Sequence, residues 1–126
     1  MVQRLLGAPA GRGTAVGMGV RTFYHEVPRP LAERALSMVA SDAPAGVDGV
    51  VAATRERFGS IPRTWVLCTE DRVMRPALQR RLALELDEVA QTPTRVVEVN
   101  SSHSPFLSQP GLLASAIADA AITLSR

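Results

Sequence analysis

The chain has 126 residues, with 14 basic side chains against 12 acidic ones, one cysteine and 46% hydrophobic residues. That length allows one compact domain, and the composition excludes a largely disordered chain. A formal charge of +2 is too small for nucleic acid to be the main partner, and every basic residue is an arginine, scattered rather than gathered in a patch. Cys68 stands alone, which excludes an internal disulfide and a multi-cysteine metal site. No apolar run approaches the roughly 18 residues of a membrane span. The opening Met1 to Leu6 is shorter than the apolar core of a secretory signal, about 7–15 residues. The expectation is a reduced, cytoplasmic protein with no membrane partner.

Leu6 to Gly19 is rich in glycine and small residues and shows no periodicity, so it reads as a loop, within a flexible segment over 1–21. It is not a phosphate loop. The lysine that should reach the phosphates is missing, and Gly11, Gly13 and Gly17 are spaced one residue too far for the dinucleotide fingerprint. Leu31, Ala35, Met38 and Val39 fall on one helix face, with Pro28 and Pro30 at its start. Ser41 to Gly49 reads as a turn, and Val50 to Arg57 as a second short helix ending before Gly59.

From Thr64 the character changes. Thr64 to Thr69 (TWVLCT) is β-rich and almost continuously apolar, as in a strand covered on both faces. Pro76 opens a helix in which Leu78, Leu82, Leu86 and Val89 share a face, with Arg80, Arg81 and Glu85 on the solvated side. A second strand runs from Arg95 to Val99. The last helix aligns Leu113, Ile117, Ala120 and Leu124, with Ser108 as cap and Pro110 in its first turn. Strand, helix, strand, helix is the rhythm of a parallel sheet with flanking helices. Two strands need further neighbours, so the sequence reads as the end of a larger α/β fold.

In open α/β sheets, functional groups collect just past the carboxyl ends of the strands. Asp71 follows the first strand and His103 the second. An aspartate bonded to one imidazole nitrogen fixes the tautomer, leaving the other nitrogen to take a proton from a nucleophile. A surface aspartate and an unrelated loop histidine would give the same spacing. His25 is a lone histidine, read as lining a pocket or as packing. Trp65 and Cys68 read as sheet packing; Met18 and Met38 read as gap-fillers, and Met74, near Asp71, as a residue that could border a pocket.

Several stretches carry a resemblance: Glu56 to Arg63 (ERFGSIPR), Trp65 to Asp71 (WVLCTED), Ala77 to Arg80 (ALQR) and Ser102 to Leu107 (SHSPFL). From about Thr22 onward the chain resembles the C-terminal half of an α/β-hydrolase, in particular the plant methylesterase and hydroxynitrile lyase-like group and its bacterial esterase relatives. Phe23-Tyr24-His25 and the helix after it resemble the later part of the family's helical cap. The resemblance implies a cap remnant over 22–60 and a β-α-β-α portion of the core over 61–126. It also puts Asp71 on the catalytic acid and His103 on the catalytic base. Arg75 stands where relatives often have proline, and the connection from Asp87 to Thr94 is longer than in the plant members. The family's nucleophile is a serine in a G-x-S-x-G elbow preceding the acid and the histidine. This sequence has no such elbow. Gly59-Ser60 lacks the partner glycines, and Ser101, Ser102 and Ser104 lie on the wrong side of the chain order. The oxyanion-hole loop and earlier strands are likewise not found here.

What the resemblance implies is a carboxylic ester hydrolase type of protein carrying the acid and base of a Ser-His-Asp triad, inactive alone, needing no metal or organic cofactor. Its partner in intact relatives is a small-molecule ester. The competing expectation is a noncatalytic interaction module that self-associates or pairs with a complementing chain. A third is a truncated reading frame with no settled fold.

Overall fold

Two short β-rich runs organise the molecule. In the computed structural model, which describes residues 12–39 and 52–124, β1 (Thr64–Cys68) and β2 (Arg95–Val99) pair in parallel with Thr64 opposite Arg95 and Cys68 opposite Val99. Both runs are dominated by β-branched and aromatic side chains, which suit a pleated surface. Between them lies α3 (Pro76–Asp87), giving a β-α-β unit. Pro76 occupies the first helical position, where its missing N–H costs nothing, and it keeps Arg75 before it extended. Asp87 closes the other end: its carboxylate accepts from the Thr94 N–H at 2.8 Å and the Thr94 hydroxyl at 2.6 Å, pinning the return to β2.

The other elements among the described residues are helices: α1 (Arg12–Phe23), α2 (Arg29–Ser37), α4 (Pro105–Ser108) and α5 (Pro110–Leu124), with a 3-10 turn at Phe58–Ser60. The helix α3 packs on β1, and α5 packs on both strands. A separate apolar cluster joins α1 and α2 through Tyr24, Val27 and Ala32, with Val20, Phe23, Ala35, Leu36 and, from α4, Leu107 against it. The fold class is thus α/β: two parallel strands with flanking helices. The strands are unevenly covered. Leu67 and Cys68 are buried, Trp65 and Val66 only half-buried, and β2 is largely exposed up to Val99.

Four expectations are corrected. Residues 12–19 are not a loop but the body of α1, which crosses the boundary drawn at 21/22. Glycine disfavours helix by about 1 kcal/mol, yet tertiary packing overrides that here. Gly19 lets Leu36 of α2 lie directly on the α1 backbone, since a Cβ there would be 2.7 Å from Leu36 Cδ2. Residues 52–57 form no helix, only extended chain and a turn before the 3-10 segment. The inner face of α3 is Gln79 and Ala83 with Leu82 and Leu86, while Leu78 is exposed. In α5 the buried residue is Ala116, Ile117 is exposed, and Ser108 does not cap the helix but bonds Ser101 and Ser104. The expected loop over 6–11 and the turn over 41–49 lie outside the described residues. No helix among the described residues is long and apolar enough to cross a membrane.

Candidate functional site

The equal length and exact pairing of the two strands decide what happens beyond them. The ladder continues past both strand ends: Thr69 donates its N–H to Val99 O at 3.0 Å, and Glu70 donates to Ser101 O at 3.0 Å. The side chains of Thr69 and Asn100 also meet at 3.2 Å. The two loops therefore leave the sheet side by side. Asp71 and His103, a few residues along each, are brought together.

The Asp71 carboxylate is held at both oxygens. Oδ1 accepts the N–H groups of Val73 at 2.8 Å and Met74 at 3.0 Å, a turn closed by an aspartate on its own following backbone. Oδ2 lies 2.9 Å from His103 Nδ1. The Asp71 side chain is only 5% exposed, against 34% for His103. Phe23, at the end of α1, sets its ring edge-on to the imidazole with centroids 5.5 Å apart. With the carboxylate ionised and the imidazole neutral, Nδ1 donates to Oδ2 and Nε2 keeps its lone pair. This arrangement can take a proton from a hydroxyl presented to Nε2.

Further residues hold the two loops. Glu26, in the connection between α1 and α2, accepts a hydrogen bond from the Ser102 N–H, next to His103. Arg72 donates to the Arg21 carbonyl at the end of α1. Gln79 is buried beneath the Asp71 loop and bonded to the Cys68 and Met74 backbone. Sequence reasoning missed Glu26 entirely, because its partner is 76 residues away. Gln79 had a signal: it shares a helix face with Ala83 and Leu86, a stripe hidden only because its first member is polar.

The other candidates fall into place around the pair. Cys68 is buried, and its thiol is pushed above its ordinary value, first by burial and then by the nearby carboxylates of Asp71 and Glu26. Trp65 donates towards Gln79 at 3.4 Å. Met74 contributes its backbone to the Asp71 turn. His25 is half-buried and its Nδ1 has no partner among the described residues. Ser101, Ser102 and Ser104 are buried, the first bonded to Ser102 O and the Ser108 hydroxyl. Arg80 and Arg81 form exposed ion pairs with Glu98 and Glu85. Among the described residues no cluster of three histidine, cysteine or acidic side chains is arranged to hold a metal ion. Two open depressions, one bordered by Arg95 and Asp119 and the other by Thr54 and Phe58, include neither Asp71 nor His103.

Solved structures share this architecture. A histidine-to-alanine variant of the protein PytH is 23% identical, with a TM-score of 0.60 over 91% of this chain and 43% of its own. The pyrethroid hydrolase PytH with BIF is 24% identical, with a TM-score of 0.58 over 91% of this chain and 42% of its own. A serine-to-alanine variant of the same hydrolase is 38% identical over 48% of this chain and 23% of its own, with a TM-score of 0.42. The chain spans less than half the length of these structures. No curated protein matches it. Residues 2–116 match the model of the alpha/beta hydrolase family. A match over that length means that the chain belongs to the α/β-hydrolase family.

Proposed function

We propose that this chain is the acid-and-base portion of a carboxylic ester hydrolase of the α/β-hydrolase family, corresponding to its C-terminal half and to the later part of its cap. The observation that carries this reading is the 2.9 Å approach of His103 Nδ1 to an Asp71 carboxylate already fixed by two backbone donors. In this reading Asp71 orients the imidazole and stabilises its protonated form. His103 takes the proton of a serine as it attacks the ester carbonyl, then returns it to the leaving alcohol. The stretches Glu56 to Arg63 and Trp65 to Asp71 together support the methylesterase and hydroxynitrile lyase-like group within the family.

The sequence supplies no serine in a nucleophile elbow. A base without nucleophile and oxyanion donors retains little of the rate enhancement, so the 126-residue chain alone turns over no ester. The assay is hydrolysis of small aryl and methyl esters by the purified chain and by His103→Ala. No turnover by either is the expected result. Turnover abolished in the variant would overturn the reading of inactivity, and turnover surviving it marks a contaminating enzyme. A G-x-S-x-G segment encoded immediately upstream would support a triad shared between two segments.

A second reading, a noncatalytic module that pairs with itself or a complementing chain, is favoured by the apolar groups left outside. Val96 on β2 is 41% exposed, Ile117 on α5 59% and Leu84 on α3 69%. Sheet edges and apolar patches of this kind invite association. Size-exclusion chromatography with light scattering decides it; a stable monomer rejects self-association.

A further inference from the structure

The buried amide of Gln79 does more than fill space. In a parallel pair, alternate residues of each strand face the partner. Arg95 donates to Arg63 O and Thr69 donates to Val99 O, so residues 63, 65, 67 and 69 face β2. Cys68 therefore turns its N–H and C=O to the opposite edge. Gln79, 3% exposed in the first turns of α3, covers that edge. Its Oε1 accepts the Cys68 N–H at 3.1 Å and the Trp65 indole N–H at 3.4 Å. Its Nε2 donates to Cys68 O at 3.0 Å and to Met74 O at 2.7 Å. A primary amide has two acceptor lone pairs and two donor hydrogens, and Gln79 uses all four.

Three of those bonds join the two ends of the loop that bears Asp71. Cys68 is where the chain leaves β1, and Met74 is where it turns back to α3. Met74 is gripped from both sides, its N–H by Asp71 Oδ1 and its C=O by Gln79 Nε2. Fixing Met74 fixes the donor that orients the carboxylate, and this sets where Oδ2 meets His103. We propose that Gln79 is a positioning residue for the Asp71–His103 pair, an amide clamp that sets the span of the loop between Cys68 and Met74. The inference rests on reading that pair as acid and base. No other side chain of this size replaces it: glutamate keeps the acceptors but loses both donors, methionine has neither, and asparagine is one methylene short.

The test is the tautomer of His103 in the full 126-residue chain, read at a pH where the imidazole is neutral by long-range proton–nitrogen NMR, with a His25→Asn variant assigning the two histidines. The wild type is expected to show the Nδ1–H form in excess. Asp71→Asn should lose that excess, and Gln79→Met should lower the Nδ1–H to Nε2–H ratio several-fold while keeping a wild-type far-UV spectrum. A Gln79→Met ratio equal to wild type, with Asp71→Asn altered, overturns the clamp and leaves the pair standing. A ratio unchanged even in Asp71→Asn overturns the acid–base reading and the inference with it. Should Gln79→Met not fold, hydrogen exchange in the wild type decides. Slow exchange of the Gln79 side-chain amide together with the Cys68 and Met74 N–H groups supports the clamp, and free exchange of the side-chain amide overturns it.

Discussion

Gly59→Ala should be severely destabilising, for a reason that has nothing to do with catalysis. Gly59 is buried in the 3-10 turn that lies against the end of α3. A Cβ built there would sit 1.9 Å from the Val89 carbonyl oxygen, where real Cβ contacts essentially never fall under 3.0 Å. The obstacle is backbone, so relief requires the two segments to part by more than 1 Å. That movement breaks the 2.8 Å bond from the Gln91 N–H to Gly59 O and loosens the 2.9 Å bond from the Gly59 N–H to Thr54 O. Overpacking costs about 1–3 kcal/mol and a lost backbone hydrogen bond about 1 kcal/mol more, for a total of roughly 2–4 kcal/mol. In a domain of this size, that lowers the melting temperature by roughly 8–15 °C. Gly17→Ala is the control. Gly17 lies in α1 with nothing within 4 Å of a new Cβ, so alanine should stabilise by about 0.5–1 kcal/mol. Thermal and urea melts followed by circular dichroism check both. A Gly59→Ala melt within a degree or two of wild type would refute the close approach, and a Gly17→Ala loss as large as that of Gly59→Ala would refute the contrast.

Two further outcomes concern titrating groups. Asp87 has its carboxyl lowered below the ordinary value, chiefly by the Thr94 hydroxyl and N–H and also by Arg63. Its contribution is therefore present above the unfolded carboxyl value near pH 4 and is lost as pH falls through the lower folded value. Urea melts from pH 6 down to pH 2 should show the stability gap between wild type and Asp87→Asn closing below about pH 4; a gap constant across that range would refute the assignment. Cys68, raised by burial and by the Asp71 and Glu26 carboxylates, should react far more slowly with iodoacetamide in the native chain than in urea at the same pH. Its linkage has the opposite sign: the folded state holds the thiol proton more tightly, so this contribution is full at neutral pH and declines as pH rises above the ordinary thiol range. Equal alkylation rates in native and unfolded chain would refute the burial argument.

The strands and the pairing of Asp71 with His103 were legible because both are local consequences of short patterns. TWVLC and RVVEV announce themselves by composition, and once two strands run parallel in register, the residues just past their ends become neighbours. The register itself was not legible, but the pairing tolerates no large slip, since Glu70 and Ser101 extend the same ladder. What failed was everything set by long-range packing. The glycines of residues 12–19 signal loop by propensity, and only the arrival of Leu36 against Gly19 shows why a helix needs one there. The α3 face was read one residue early because Leu78 is apolar and Gln79 is not, yet Gln79 is buried by its four hydrogen bonds and Leu78 is exposed. Sequence patterns equate buried with apolar. That equation breaks wherever a polar side chain satisfies an edge.

The helical pair α1 and α2 also bears on the candidate site. Three ties run from this segment to the two loops: Phe23 to the His103 ring, Glu26 to the Ser102 N–H, and the Arg21 carbonyl to Arg72. With Asp71 at Nδ1 and Phe23 edge-on to the ring, the imidazole is fixed on two sides and still one-third exposed. In the proposed reading, a hydroxyl to be deprotonated approaches the remaining nitrogen from the exposed side of the ring. Removing Phe23 would loosen the ring on one side, whereas removing Asp71 would free it on the other and also unset which nitrogen carries the proton. Orientation of the imidazole is thus shared between the helices and the loop that bears Asp71, whereas selection of its tautomer belongs to that loop alone.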